Sequence, residues 1–331
     1  MKRGVGAVVV GLVLVASACS SGPKGAQTYS VFSDQASPAG KNFQFSAFYP
    51  TSIKVRPGDS ITFANRGTGA PHTISFGIAP DRSNSPPPVT PKGENPAVFG
   101  NCFTTQAPKA SWTSCPTKSG ATPPEFTGQG FWNAFFVPVP APSGQKQITM
   151  KLSSSIALGS YRFICILHAP MVAFVQVVAK DSDRETPAKV TADIDTTSST
   201  ALTSANAIPN PAVTASTVAA GWSGGAVAVN RFYPLSLSVK AGTKVTWKDF
   251  SAFEPHTVTF GAPPNMGAPP GPYFAPSGVA TGGSYTSGLT NSGIFGGDIS
   301  KAIFSLVFST PGTYNYQCML HPGMRGSIKV T

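Results

Sequence analysis

Residues 159–177 read GSYRFICILHAPMVAFVQV, and residues 312–330 read GTYNYQCMLHPGMRGSIKV. The two stretches align without a gap. Each carries Cys-x-x-His-x-x-Met: Cys165, His168 and Met171 in the first, Cys318, His321 and Met324 in the second. A second pair of stretches lies upstream. Residues 48–77, FYPTSIKVRPGDSITFANRGTGAPHTISFG, sit over residues 232–261, FYPLSLSVKAGTKVTWKDFSAFEPHTVTFG, with 12 identities in 30 positions. They place His72 and His256 at equivalent positions, each between a Pro and a Thr. The offset is 184 for the upstream pair and 153 for the downstream pair, so the first copy holds 31 extra residues between its blocks. Two long copies indicate duplicated domains rather than a solenoid.

Each copy reads as short strands. Ser52-Ile53-Lys54-Val55 and Ser60-Ile61-Thr62-Phe63 alternate polar and apolar residues around the turn signal Pro57-Gly58-Asp59. Leu237-Ser238-Val239, Lys244-Val245-Thr246-Trp247, Thr73-Ile74-Ser75-Phe76 and Thr257-Val258-Thr259-Phe260 keep the same period of two. The composition agrees: charged residues are only 11% of 331, while Gly (34) and Pro (32) are abundant. That profile excludes a helical bundle or coiled coil and fits an all-β protein of two sandwich domains. The expected domains are residues 28–180, with an insert at about 78–127, and residues 221–331. Residues 181–220, rich in Ser, Thr, Ala and Pro, read as an interdomain linker. Both domains are basic: 12 Lys/Arg against 5 Asp/Glu (+7) in residues 28–180, and 7 against 3 (+4) in residues 221–331. The charge is dispersed, so no nucleic-acid partner is expected. It favours an acidic protein partner by steering.

The first eighteen residues read as an address. Lys2 and Arg3 precede an apolar run from Val5 to Ala16, too short to span a bilayer, and small residues then lead to Cys19. This resembles a bacterial lipoprotein signal, with Cys19 the lipidated first residue of the mature chain and residues 19–27 a tether. Ala16 stands where such signals usually carry a branched aliphatic residue. The expected location is the outer face of the cell membrane, where oxidising-compartment rules govern the cysteines. A plain secretory signal cleaved near Ala18 would also export the chain.

A His from one strand with Cys, His and Met from one short loop is a ligand set for blue copper. Two imidazoles and a thiolate make a trigonal plane, and a thioether sits as a weak axial ligand. His72, Cys165, His168 and Met171 form one such set, and His256, Cys318, His321 and Met324 the other. Together they use all four histidines of the chain.

On these residues the sequence resembles the cupredoxin family, specifically plastocyanin- and amicyanin-like copper proteins. The resemblance covers both domains but not the signal, the linker or the insert. It implies Greek-key β-sandwiches, each with copper near one end. It also implies electron transfer through the loop histidine, so His168 and His321 are expected at the surface. Many relatives carry Asn directly after the upstream His, where it pins the cysteine loop; this chain has Thr73 and Thr257. The remaining cysteines, Cys102 and Cys115, fall in the insert and are expected to pair as a disulfide.

Two type 1 coppers per chain imply a blue copper electron-transfer protein with a redox protein partner. A copper carrier is the alternative, although no Met-rich or His-rich tract exists. A nitrite reductase or multicopper oxidase would need further histidines. The insert could instead make the chain a recognition module. Apolar residues flank Cys165 (Ile164, Ile166) where Gln317 and Met319 flank Cys318. On that ground the two potentials are expected to differ, with the first site higher.

Overall fold

The computed structural model describes residues 24–67, 72–76, 125–129, 132–137, 147–165, 168, 171–261, 275–297 and 303–331. Its first half contains β1 (Thr28–Ser33), β2 (Phe43–Phe45), β3 (Phe48–Tyr49), β4 (Ser52–Val55), β5 (Ser60–Asn65), β6 (His72–Phe76), β7 (Trp132–Val137), β8 (Ile148–Lys151), β9 (Gly159–Ile164) and β10 (Val172–Val177). A helix, α1 (Pro187–Asn206), follows. The second half contains β11 (Thr217–Gly224), β12 (Val227–Tyr233), β13 (Ser236–Val239), β14 (Thr243–Phe250), β15 (Thr259–Phe260), β16 (Thr290–Asn291), β17 (Ile303–Phe308), β18 (Gly312–Gln317) and β19 (Arg325–Val330).

The alternation read from the sequence becomes an inside and an outside. In β4, Ile53 and Val55 are buried while Lys54 is exposed; in β13, Leu237 and Val239 are buried between exposed serines. The turns after these strands place Gly58 and Gly242 at φ of 85° and 84°, a left-handed conformation that favours glycine. The Tyr49–Pro50 and Tyr233–Pro234 bonds are both cis.

Two sheets make the first half, in the orders β3-β1-β5-β8 and β4-β10-β9-β6-β7. Two more make the second, β17-β14-β11-β12-β2 and β13-β19-β18-β15-β16. Parallel pairs (β1 with β5, β4 with β10, β11 with β14, β13 with β19) sit among antiparallel ones, as long crossovers between the layers require. Each half is thus a β-sandwich. Aromatic side chains fill it: Phe48, Phe63, Phe76 and Phe163 in the first half, Trp247, Phe260, Phe308 and Tyr316 in the second.

The two halves share structure. Strand β2 lies in the first copy but pairs with β12, setting Phe43, Gln44 and Phe45 opposite Val229, Ala228 and Val227. Asn230 N–H donates to Asn42 O at 2.9 Å, and Ser46 N–H to Ala226 O at 2.8 Å. The apolar cluster of the first half continues into Trp222, Val227 and Val229 of the second.

The stretch 181–220 is not a bare spacer. Thr186 caps α1 by accepting from Lys189 N–H at 3.1 Å, and Pro187 opens the helix, where a missing N–H costs nothing. Val190 and Ile194, one turn apart, are buried with Ala205, and the helix packs on β1 and β3. The helix escapes notice in the sequence because its apolar stripe is narrow and its polar face is Ser and Thr. Those hydroxyls satisfy themselves on the preceding turn, as Thr191, Thr196 and Thr200 do on the carbonyls of Pro187, Ala192 and Thr196. Strand β11 also begins within this stretch, at Thr217.

The entry to the helix is tied to the first sandwich by a buried ion pair. Arg184 Nη1 donates to Asp59 Oδ1 at 2.9 Å, with side chains 2% and 1% exposed. The same carboxylate accepts from Gln27 N–H and Arg56 N–H, both at 2.7 Å. Removing Asp59 takes the closer carboxylate from a buried guanidinium, which keeps Asp181 Oδ1 at 3.3 Å and Gly25 O at 2.8 Å. We expect Asp59→Ala to lower unfolding free energy by about 3–5 kcal/mol, measured by denaturant titration. A loss under about 1 kcal/mol would show that the pair does not anchor the helix.

Candidate metal centres

In each half, two segments meet at one end of the sandwich. His72 opens β6, while Cys165 directly follows β9 and Met171 directly precedes β10. The loop between closes on itself: Met171 N–H donates to His168 O at 3.0 Å, and Cys165 N–H to Met171 O at 3.0 Å. The second half repeats this, with Met324 N–H to His321 O at 3.1 Å and Cys318 N–H to Met324 O at 2.9 Å. These bonds carry His and Met back over the cysteine, which is why the two-residue spacings matter.

The donor atoms converge. Ring nitrogen and sulfur atoms of His72, Cys165 and His168 lie within 4.8 Å of one another, and so do those of His256, Cys318 and His321. All six residues are buried, as are Met171 and Met324. Cys165 Sγ is 3.4 Å from His168 Nδ1, and Cys318 Sγ is 3.5 Å from His321 Nδ1. The imidazole pairs match in pose: ring centroids are 4.7 Å apart at 53° in the first site and 4.8 Å at 56° in the second.

The chemistry of the donor set fits a soft, thiophilic metal. His72 Nδ1 and His256 Nδ1 are buried without a hydrogen-bond partner, an arrangement that costs free energy unless something binds there. Burial pushes each thiol up, but the adjacent imidazoles prevail and hold Cys165 and Cys318 well below the usual thiol range. Burial lowers His72, yet Asp34 and Cys165 raise it to about 10; Cys318 and Glu254 likewise raise His321 to about 10. Thiolate sulfur with imidazole nitrogen is a donor set that suits copper.

The threonines that stand in place of asparagine hold the sulfur. Thr73 N–H donates to Cys165 Sγ at 3.3 Å and Thr257 N–H to Cys318 Sγ at 3.4 Å. Thr257 Oγ1 also accepts from Met319 N–H at 2.8 Å, so a hydroxyl pins the cysteine loop.

The surroundings differ. Asp34, at φ 60°, brings Oδ2 within 3.4 Å of His72 Nε2. The paired strands put Gly221, at φ 79°, in the matching place of the second half. A Cβ on Gly221 would lie 1.9 Å from His256 Nε2, so only glycine fits there. His256 Nε2 has no partner, whereas His72 faces a carboxylate. Residues 28–33 pair with β5 in parallel, a distant register that the sequence did not reveal.

The loop histidines are not at the surface. His168 is 5% exposed and His321 3%, both against Glu254 of the second half, which corrects the expectation of solvent-facing ring edges. Between them stands Glu254, also buried. His321 Nε2 donates to Glu254 Oε1 at 2.9 Å, and His168 Nε2 is 3.4 Å from Glu254 Oε2. Burial raises the Glu254 carboxyl, but His168 and His321 outweigh it and hold the group at about 2. The positions of Glu254 and Gln44 went unremarked in the sequence, where neither belongs to a recognisable motif. Cys19, Cys102 and Cys115 lie outside the described residues, as does nearly all of the 78–127 insert. Among the described residues no helix is long and apolar enough to cross a membrane.

Comparison with known proteins agrees with the second half most directly. Residues 219–331 match the copper-binding proteins of the plastocyanin/azurin family. Chloroplastic plastocyanin from Physcomitrium patens is 33% identical over 123 residues, which cover 35% of this chain and 58% of the relative. The match thus spans little more than half of that relative. Among solved structures, a purple cupredoxin from Nitrosopumilus maritimus is 20% identical over 35% of this chain and 99% of its own, with a TM-score of 0.23. A methionine-to-alanine variant of amicyanin in its Cu(I) form is 24% identical over 38% and 88%, also at 0.23. In sandwich, loop and buried sulfur alike, residues 219–331 resemble the copper-binding proteins of the plastocyanin/azurin family.

Proposed function

We propose that this chain is a blue copper electron-transfer protein with two type 1 sites, one held by His72, Cys165, His168 and Met171 and the other by His256, Cys318, His321 and Met324. The observation that carries this reading is the duplicated, buried cluster of two imidazoles and a thiolate with unpartnered Nδ1 atoms. Bound copper supplies one-electron exchange between Cu(I) and Cu(II). The protein's part is to keep water out, hold each sulfur by a threonine N–H, and fix the imidazoles in one pose, which keeps the structural change between the two states small. A copper carrier would favour exchangeable, Met-rich or His-rich ligation; the buried, hydrogen-bonded loops favour a resident metal instead. All four histidines fall in the two sets, which leaves none for a catalytic copper. The amino-terminal signal supports export and lipid attachment at Cys19, and the net charge of +11 supports an acidic redox partner.

Three outcomes test this. Elemental analysis of copper-loaded protein should find two coppers per chain with an intense blue absorption. Replacing Cys165 or Cys318 by Ser should each remove part of that band, and replacing both should abolish it. A colourless Cu(II) protein sinks the reading.

Loading should also release protons. Metal at Nδ1 displaces the proton that the folded metal-free protein holds on His72 and His321 up to about pH 10. Copper affinity should therefore rise with pH across the neutral range and level off above about 10. An affinity flat between pH 6 and 9, measured by competition with a chelator, would contradict these raised values.

Finally, the potentials should be ordered by Asp34. A carboxylate against the His72 ring favours the more highly charged Cu(II) state, and the second site has only Gly221 there. This charge opposes the effect of the apolar flanks of Cys165, and we expect it to prevail and reverse the order, leaving the first site with the lower potential. Asp34→Asn should raise it while leaving the second site nearly unchanged. Spectroelectrochemistry of the Cys165→Ser and Cys318→Ser proteins decides the order.

A further inference from the structure

The sites are built as a pair. Glu254 is one of only 13 acidic residues in the chain, and it lies 5% exposed between two ligand-set histidines from different halves. Its two carboxylate oxygens divide between them, Oε1 to His321 and Oε2 to His168. With Nδ1 of each ring turned toward its cysteine, each Nε2 faces the carboxylate. Oε2 is also held by Gln44 Nε2 at 2.7 Å, and Gln44 Oε1 accepts from Asn230 Nδ2 at 2.8 Å. Gln44 Nε2 lies 3.2 Å from His168 Nε2 as well. Gln44 rides on β2, the strand that the first half lends to the sheet of the second. The carboxylate is fixed from its own side too: Glu254 N–H donates to Ser251 Oγ at 3.0 Å, and Ser251 N–H to Asp249 Oδ1 at 2.7 Å.

The arrangement is not a by-product of duplication. The alignment that pairs His72 with His256 sets Ala70 opposite Glu254 and Ala228 opposite Gln44. One acid therefore faces both sites: Oε1 accepts from His321 Nε2, and Oε2, which accepts from Gln44 Nε2, lies 3.4 Å from His168 Nε2. Burying an anion this deeply is costly unless it is fully hydrogen-bonded.

We propose that Glu254 is a positioning residue that couples the two metal sites, so that what one site holds changes the potential of the other. A positive metal held at either site would draw on the charge of the shared carboxylate, through the hydrogen bond of His321 and across the 3.4 Å contact of His168. The carboxylate then has less density to offer the other ring. Oxidising one site makes the second harder to oxidise. With both ring edges engaged here, the exchange with outside partners has to use other surfaces. This inference rests on the two-copper reading above.

The test uses the full chain. In a spectroelectrochemical titration, the two-copper protein should not follow the sum of the Cys165→Ser and Cys318→Ser titrations. We expect the second oxidation to be displaced at least tenfold in equilibrium constant, about 59 mV for one electron. Glu254→Gln presents an amide N–H₂ to one ring and removes the charge. It should raise both single-site potentials and bring the two-copper titration close to the sum. Simple additivity in the unmodified protein overturns the proposal, and so does coupling that survives Glu254→Gln unchanged. The metal-free protein provides a second readout that needs no copper and no variant of a ligand. Its proton spectrum should show slowly exchanging Nε2–H resonances for both His168 and His321, both displaced in Glu254→Gln. Absence of either protected resonance in folded protein also overturns the bridge. A chain that takes up no copper is recognised beforehand by its metal count and defeats the two-copper reading itself, whatever the imidazole spectrum shows.

Discussion

A sulfur anion kept away from water is the constraint on which each half of this molecule depends. Burial alone would return Cys165 and Cys318 to neutral thiols, so each must be surrounded by groups that favour the charged form. Two imidazoles supply the charge and a threonine N–H supplies a hydrogen bond. None of these groups is next to the cysteine in sequence except the histidine three residues on. The sandwich exists, in this sense, to bring the edge of β6 or its counterpart beside the loop after β9 or β18. The aromatic core behind the loop makes that approach rigid.

The second half of the architecture follows from where the ring edges point. Two halves that carry the same sequence motifs could have faced solvent separately. Here β2 crosses to the neighbouring sheet, Trp222 and Val229 join the first core, and His168 ends up against Glu254 of the second half, beside His321. Once both are buried, their outer nitrogens need acceptors, because unpaired buried polar groups cost about as much as a lost hydrogen bond. Glu254 accepts from His321 and lies 3.4 Å from His168, which Gln44 also meets. The same reasoning accounts for α1: with Arg184 buried on Asp59, the segment joining the halves is held down at its start and packs rather than floats.

The asymmetry between the copies is as informative as the likeness. Asp34 and Gly221 occupy one place in the two folds, both with positive φ. One puts a carboxylate at 3.4 Å from the ring behind it, and the other leaves room only for hydrogen. Matching candidate ligand sets thus meet different electrostatic surroundings at this backbone position.

Much of this was legible in the residues. The period of two in Ser52–Val55 and Leu237–Val239, the turn at Pro57-Gly58-Asp59 and the repeated Cys-x-x-His-x-x-Met depend on local chemistry and short spacing, which a linear sequence records. They determined the β-sandwich class, the duplication and the candidate ligands. Helix α1 was read as a linker, because a stripe as narrow as Val190 and Ile194 in a field of Ser and Thr carries little signal. The burial of His168 and His321, the sharing of Glu254, and the pairing of Asp34 with His72 were decided only by tertiary structure. They join residues 38 to 210 positions apart in the chain. Contacts of that kind are set by strand register and by how two sheets meet, and no local pattern encodes either.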